Sequence, residues 1–135
     1  MSTPVLATYG TLMRSFGRHE QLGVGDRLAF VTRCRWEGRL YDLGSFPGAV
    51  PGDGTVYGEL FRLRDPAVWR VLDRYEGYDP AREEVSLFVR RRVDVACPDG
   101  RTAWVYWYNG DPEEGARVSS GDWAAYVDER GSPAN

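Results

Sequence analysis

Between Val56 and Leu63, Val56, Gly58 and Leu60 alternate with Tyr57, Glu59 and Phe61, a period of two that predicts a strand with two unlike faces. Val5-Leu6-Ala7-Thr8-Tyr9 is a shorter β-prone run that stops at Gly10-Thr11-Leu12. From Arg27 to Asp42, Phe30, Val31, Trp36, Leu40 and Tyr41 stand among polar residues and predict one or two strands. Gly44 to Gly54, with Pro47, Pro51 and repeated glycine, reads as loop. The period then changes. Val68, Val71, Leu72 and Tyr75 recur at helical spacing, with Asp65 as cap, Pro66 as first helical residue and a stop at Glu76-Gly77. Val85, Leu87, Val89, Val93 and Val95 flank Arg90-Arg91-Arg92 in an expected long strand. A turn at Pro98-Asp99-Gly100 leads into the aromatic strand Thr102 to Asn109, making a hairpin. Ser120 to Arg130 reads as a last short helix with Trp123, Tyr126 and Val127 inward and Gly131 as its stop. This order predicts an α+β protein built as a small mixed β-barrel or strongly curved sheet, with a few short flanking helices.

Length and composition add boundaries to that picture. With 135 residues, 42% of them apolar, the chain has the material for one core, and residues 1–135 are expected to form a single domain. All 17 basic residues are Arg, and His19 is the only histidine. A lysine Schiff base, a Walker lysine, a Ser-Lys dyad and a multi-histidine zinc centre are thereby excluded. Any imidazole chemistry would fall to His19, whose neighbours Gly17, Arg18, Glu20 and Gln21 read as a polar segment. Proton transfer is left to carboxylates or tyrosines. Cys34 and Cys97 lie far apart in expected strands and read as buried thiols. The sequence shows neither a secretory apolar segment at its start nor a run long enough to span a bilayer, so a cytoplasmic protein without a membrane partner is expected.

Three segments carry candidate chemistry. Tyr9-Gly10-Thr11-Leu12 is either an ordinary strand exit or a turn whose backbone N–H groups hold a carboxylate or a developing oxyanion. Glu76 falls at a helix C-terminus, where the dipole disfavours a negative charge. It is either a solvated side chain or, packed against Tyr75, Tyr78 and apolar walls, a carboxyl raised toward neutrality that can take and return a proton. Arg90-Arg91-Arg92 reads as a solvated sheet face from which Arg90 is turned inward. With a net charge of -3, no nucleic-acid partner is expected.

Tyr9-Gly10-Thr11-Leu12, Gly38-Arg39-Leu40-Tyr41-Asp42 with Phe46-Pro47-Gly48, Val56-Tyr57-Gly58-Glu59-Leu60-Phe61 and Leu72-Asp73-Arg74-Tyr75-Glu76-Gly77-Tyr78 follow one another in a characteristic order. That order, continued by Phe88-Val89-Arg90, Ala103-Trp104-Val105-Tyr106 and Ser120-Gly121-Asp122-Trp123, resembles the gamma-glutamylcyclotransferase-like superfamily over nearly the whole chain. The group includes gamma-glutamylamine cyclotransferases and AIG2-like proteins. The resemblance implies a compact barrel with a pocket at one end and Glu76 as the catalytic carboxylate. It also implies a loop, Tyr9, Gly10, Thr11 and Leu12, that holds a glutamyl group, with Arg90 and Trp123 as further substrate contacts. Phe88 stands where many relatives have Tyr before x-Arg, and Trp123 replaces a Tyr of the gamma-glutamyl-amino-acid enzymes. Both departures bear on the substrate more than on the reaction class. The implied reaction closes a γ-glutamyl amine or γ-glutamyl amino acid to 5-oxoproline with no metal or organic cofactor. The implied partner is a small γ-glutamyl molecule, bound by a monomer or weak homodimer. A non-catalytic protein of the same fold, binding a small carboxylate or a partner, is the alternative.

Overall fold

The computed structural model describes residues 4–97 and 99–129. Its elements are β1 (Val5–Thr8), α1 (Arg18–Gln21), β2 (Leu28–Asp42), β3 (Pro47–Leu63), α2 (Val68–Tyr75), β4 (Phe88–Cys97), β5 (Asp99–Tyr108) and α3 (Trp123–Glu129), with short 3-10 turns between some of them. The strands close into a barrel in the order β1-β3-β2-β4-β5. Two antiparallel hairpins, β2 with β3 and β4 with β5, supply most of the pairing. β1 joins them, antiparallel to β3 and parallel to β5 through Leu6 opposite Trp104. The closed sheet therefore has no free edge in this region, which removes a site for unwanted strand addition.

Adjacent residues of one strand are buried on opposite faces of the barrel wall. Ala7, Leu60, Val89 and Val105 join one cluster, whereas their neighbours Leu6, Phe61, Phe88 and Tyr106 join a second cluster with Val68 and Leu72 of α2. Where α2 covers the wall, both faces are dry, so the strands read as continuous apolar runs there rather than as a strict alternation. Trp123 of α3 packs into the first cluster. Among the described residues, no helix is long and apolar enough to cross a membrane.

Some boundaries differ from the sequence expectation. The segment from Gly44 to Gly54, expected as loop, is a strand from Pro47 onward, paired from Asp42 opposite Pro47 to Arg39 opposite Val50. Pairing resumes with Glu37 opposite Thr55, so residues 51–54 are accommodated as a bulge that the proline and glycines permit. Of the one or two strands expected from Arg27 to Asp42 there is one, Leu28–Asp42. α2 begins at Val68, although Asp65 still accepts the Ala67 N–H at 3.0 Å through Oδ1 and the Val68 N–H through its carbonyl. β4 begins at Phe88 rather than Val85, because Glu83–Val85 forms a 3-10 turn that leaves Val85 exposed. Cys34 is buried in the barrel. The side chain of Cys97, the turn at Pro98 and the helix stop at Gly131 lie outside the described residues.

Leu72 is fully buried between α2 and the barrel, and Val71 beside it is only half-buried, against the expectation that both face inward. Leu72→Ala should therefore cost about 3 kcal/mol in urea unfolding. Val71→Ala should cost about 1 kcal/mol or less.

Candidate active site

The C-terminus of α2 fixes the first component. The Gly77 N–H donates to the Arg74 carbonyl and the Tyr78 N–H to the Asp73 carbonyl, with Gly77 at φ 67°, so the helix ends in a Schellman turn. Glu76 is the residue locked between helix and glycine. The second component is the loop after β1. Its turn is closed by the Met13 N–H donating to the Gly10 carbonyl at 2.9 Å. His19, buried on α1, donates from Nε2 to the Leu12 carbonyl at 2.6 Å. Arg18 Nε donates to the Tyr75 hydroxyl at 3.1 Å, and that hydroxyl shares a 2.6 Å hydrogen bond with Thr11 Oγ1. Loop and helix end are thus tied directly. Gly10 approaches Pro47 so closely that a Cβ would lie 2.6 Å from the ring, which only glycine allows.

Between these parts is a cavity of about 180 Å³. Tyr9, Gly10, Thr11 and Leu12 line it from the loop, Tyr75 and Glu76 from α2, Phe46, Pro47, Leu87 and Phe88 from the apolar side, and Tyr106 from β5. The N–H groups of Gly10, Thr11 and Leu12 have no acceptor among the described residues. Glu76 is half-buried and lines this cavity. Burial pushes its carboxyl from the usual 4.5 up to about 8.

Two phenols stand near this carboxylate, and neither gives it a proton. The Tyr9 hydroxyl donates to the Tyr106 carbonyl at 2.7 Å and accepts from the Ala49 N–H at 3.1 Å. The Tyr106 hydroxyl donates to Asp73 Oδ1 at 2.6 Å. Burial first, and then the Glu76 charge, raises the Tyr9 hydroxyl well above its ordinary range, while burial and the bond to Asp73 raise that of Tyr106. Both stay protonated.

Of the residues singled out in the sequence, Tyr9, Gly10, Thr11, Leu12 and Glu76 share this cavity, whereas Arg90 and Trp123 do not line it. Arg90 is turned inward from the sheet, but toward α2: Nε and Nη2 each lie 3.0 Å from one oxygen of Asp73. Its guanidinium also rests 4.2 Å from the Trp69 ring centroid. Trp123 lies in the core beside Tyr126, where its indole packs rather than faces the cavity. The rest of the Arg run is external, with Arg91 paired to Glu83 and Arg92 exposed over Trp104. Tyr106 and Asp73 are site components that sequence inspection did not single out, and His19, expected in a polar segment, is instead buried and holds the loop through the Leu12 carbonyl. A charged residue beside the inward Leu72 was the available signal for Asp73; nothing local marks Tyr106 as different from the other aromatic residues of β5.

Residues 6–125 match the family described as gamma-glutamyl cyclotransferase, AIG2-like. The gamma-glutamylcyclotransferase family protein YtfP of Escherichia coli K12 is 41% identical over 118 residues, covering 85% of this chain and 91% of that protein. The solution structure of ytfP from Escherichia coli superposes with a TM-score of 0.62 at 30% identity, covering 88% of this chain and 95% of that one. The crystal structure of a mouse AIG2-like protein gives a TM-score of 0.72 at 22% identity over 91% of this chain and 89% of that one, a likeness of fold.

Two predictions follow from the ionisable groups. Between pH 4.5 and about 8 folded Glu76 holds a proton that the unfolded chain has lost, so its contribution to stability declines as pH rises through that window. Glu76→Gln should raise Tm by about 4 °C or more at pH 9 and by clearly less at pH 5, read by thermal melts. Arg90→Ala leaves the enclosed Asp73 carboxylate with Tyr106 alone, and should cost about 3 kcal/mol in chemical denaturation.

Proposed function

The chain belongs to the gamma-glutamyl cyclotransferase, AIG2-like family, and from that premise we propose that it converts a γ-glutamyl amine or γ-glutamyl amino acid to 5-oxoproline and the free amine. The observation that carries this reading is one cavity holding a donor-free carboxylate, Glu76, opposite three N–H groups without acceptors at Gly10, Thr11 and Leu12.

The α-amino nitrogen of the substrate attacks its own γ-carbonyl carbon. A new C–N bond closes the five-membered ring, the carbonyl electrons move onto oxygen, and they return as the bond to the leaving nitrogen breaks. Nucleophile and electrophile belong to one molecule, so the protein has to fold that molecule and move one proton. Alignment of this kind is worth effective molarities of about 10⁵ M or more. Glu76 takes the proton from the attacking amine and returns it to the departing nitrogen, acting as base and then as acid. A carboxyl with pKa about 8 is suited to both directions near neutral pH. The N–H groups of the loop receive the glutamyl carboxylate or the oxyanion, where burial strengthens each hydrogen bond. Tyr9 contributes a wall of the pocket and a charge-free neighbour, its hydroxyl being held by Ala49 and Tyr106.

Purified protein incubated with γ-glutamyl amides and γ-glutamyl amino acids should release 5-oxoproline, and Glu76→Gln should lower kcat by at least about 10³-fold while remaining folded. In the wild type, kcat/KM should climb as pH rises toward about 8, because the free enzyme gains its base form in that range. Full activity in folded Glu76→Gln would remove the assigned role. A γ-glutamyl compound that raises Tm without turnover would favour a binding protein instead.

A further inference from the structure

The cavity wall that the reaction scheme leaves without a task is apolar and continuous. Phe46 and Phe88 have ring centroids 6.0 Å apart, Pro47 abuts Gly10 of the loop, and Leu87 abuts Gly77 beside Glu76. The wall therefore reaches from the oxyanion side to the carboxylate side. Phe88 presents a ring with no hydroxyl. Leu87 is 46% exposed and Val85, two residues earlier, is 66% exposed. Two large apolar side chains thus remain uncovered on the segment that forms the rim of the cavity.

Charge points the same way. None of the residues lining the cavity is cationic. The guanidinium groups packed against its outer side are engaged: Arg90 grips Asp73 with Nε and Nη2, and Arg18 binds the Tyr75 hydroxyl and Gln21 Oε1. A carboxylate carried by the leaving amine would enter a pocket with no counter-ion, next to Glu76, and would lose water without replacement.

We propose that the amine released by this protein bears an uncharged, apolar substituent, seated on Leu87, Phe88, Phe46 and Pro47, and that γ-glutamyl amino acids and peptides are its poor substrates. This rests on the cyclotransferase reading, since the wall must lie beside the nitrogen that Glu76 reprotonates. Burial of each methylene on that wall gains about fourfold in kcat/KM.

The test is a matched series. Release of 5-oxoproline is measured from γ-glutamyl methylamide, ethylamide, propylamide and butylamide, and from γ-glutamyl-5-aminopentanoate, which adds a carboxylate to the butyl chain. The expected result is a rise of about fourfold per methylene and a drop of at least about tenfold for the acid against the butylamide. Leu87→Arg, at an exposed position that tolerates the change, should reverse the preference between those two. Equal kcat/KM for the acid and the butylamide, or no gain with chain length, overturns this proposal while leaving the cyclotransferase reading intact. No 5-oxoproline from any amide overturns both.

Discussion

A carboxyl stays unpaired inside a protein only when the side-chain donors beside it are committed elsewhere, and that constraint organises this structure. Tyr9 and Tyr106 line the cavity with Glu76, yet both phenols spend their protons on other atoms. Tyr9 donates to the Tyr106 carbonyl, and Tyr106 donates to Asp73. Asp73 in turn is held in register by two parallel bonds from Arg90, which is itself braced on Trp69. The chain of bonds ends one step short of Glu76. Had either phenol turned inward, the carboxylate would gain a charge-stabilising donor and its pKa would fall back toward the ordinary range.

The two carboxylates of α2 therefore have opposite environments although they are three residues apart on one helix. Asp73 satisfies both oxygens and ties the helix to β4 and β5, while Glu76 faces a cavity. The arrangement has a cost in stability, because an enclosed carboxyl resists ionisation, and folding pays for it progressively as pH rises from 4.5 to about 8. The barrel can carry that cost. Its wall is packed on both faces under α2, with Leu6, Phe61 and Leu72 fully buried, so Glu76 sits at the end of a helix anchored in a core cluster.

Sequence pattern revealed the parts more readily than their connections. Alternation and helical spacing located β1, α2 and the aromatic strand, and glycine after each of two elements marked the loop and the helix end. Residues 47–54 read as loop because proline and glycine signal turns locally, whereas here the hairpin with β2 supplies the pairing and a bulge absorbs the excess length. Val85 fooled the pattern in the other direction: it is apolar, but lies on an exposed turn. Arg90 was legible as inward-facing and its partner was not, since the contact joins residues 17 apart in sequence through the packing of α2 against β4. The aromatic strand likewise gave no local reason to choose Tyr106 over Tyr108.

The lone histidine shows how a residue excluded from the chemistry can still shape it. The imidazole of His19 donates to the Leu12 carbonyl, and the Gly10 and Met13 carbonyls accept from the Met13 and Phe16 N–H groups. These acceptors of the loop are satisfied from within the protein. The donors of Gly10, Thr11 and Leu12 are left over among the described residues, so the loop keeps three N–H groups available at its own end of the cavity. A lysine there would bring a mobile full charge, which would pair with Glu76 and lower its pKa. Fixed backbone dipoles deliver a weaker field that a carboxylate across the pocket does not neutralise. A chain with no lysine can thus keep an anion site and an unpaired carboxyl in one small space, which a mobile cation would collapse into an ion pair.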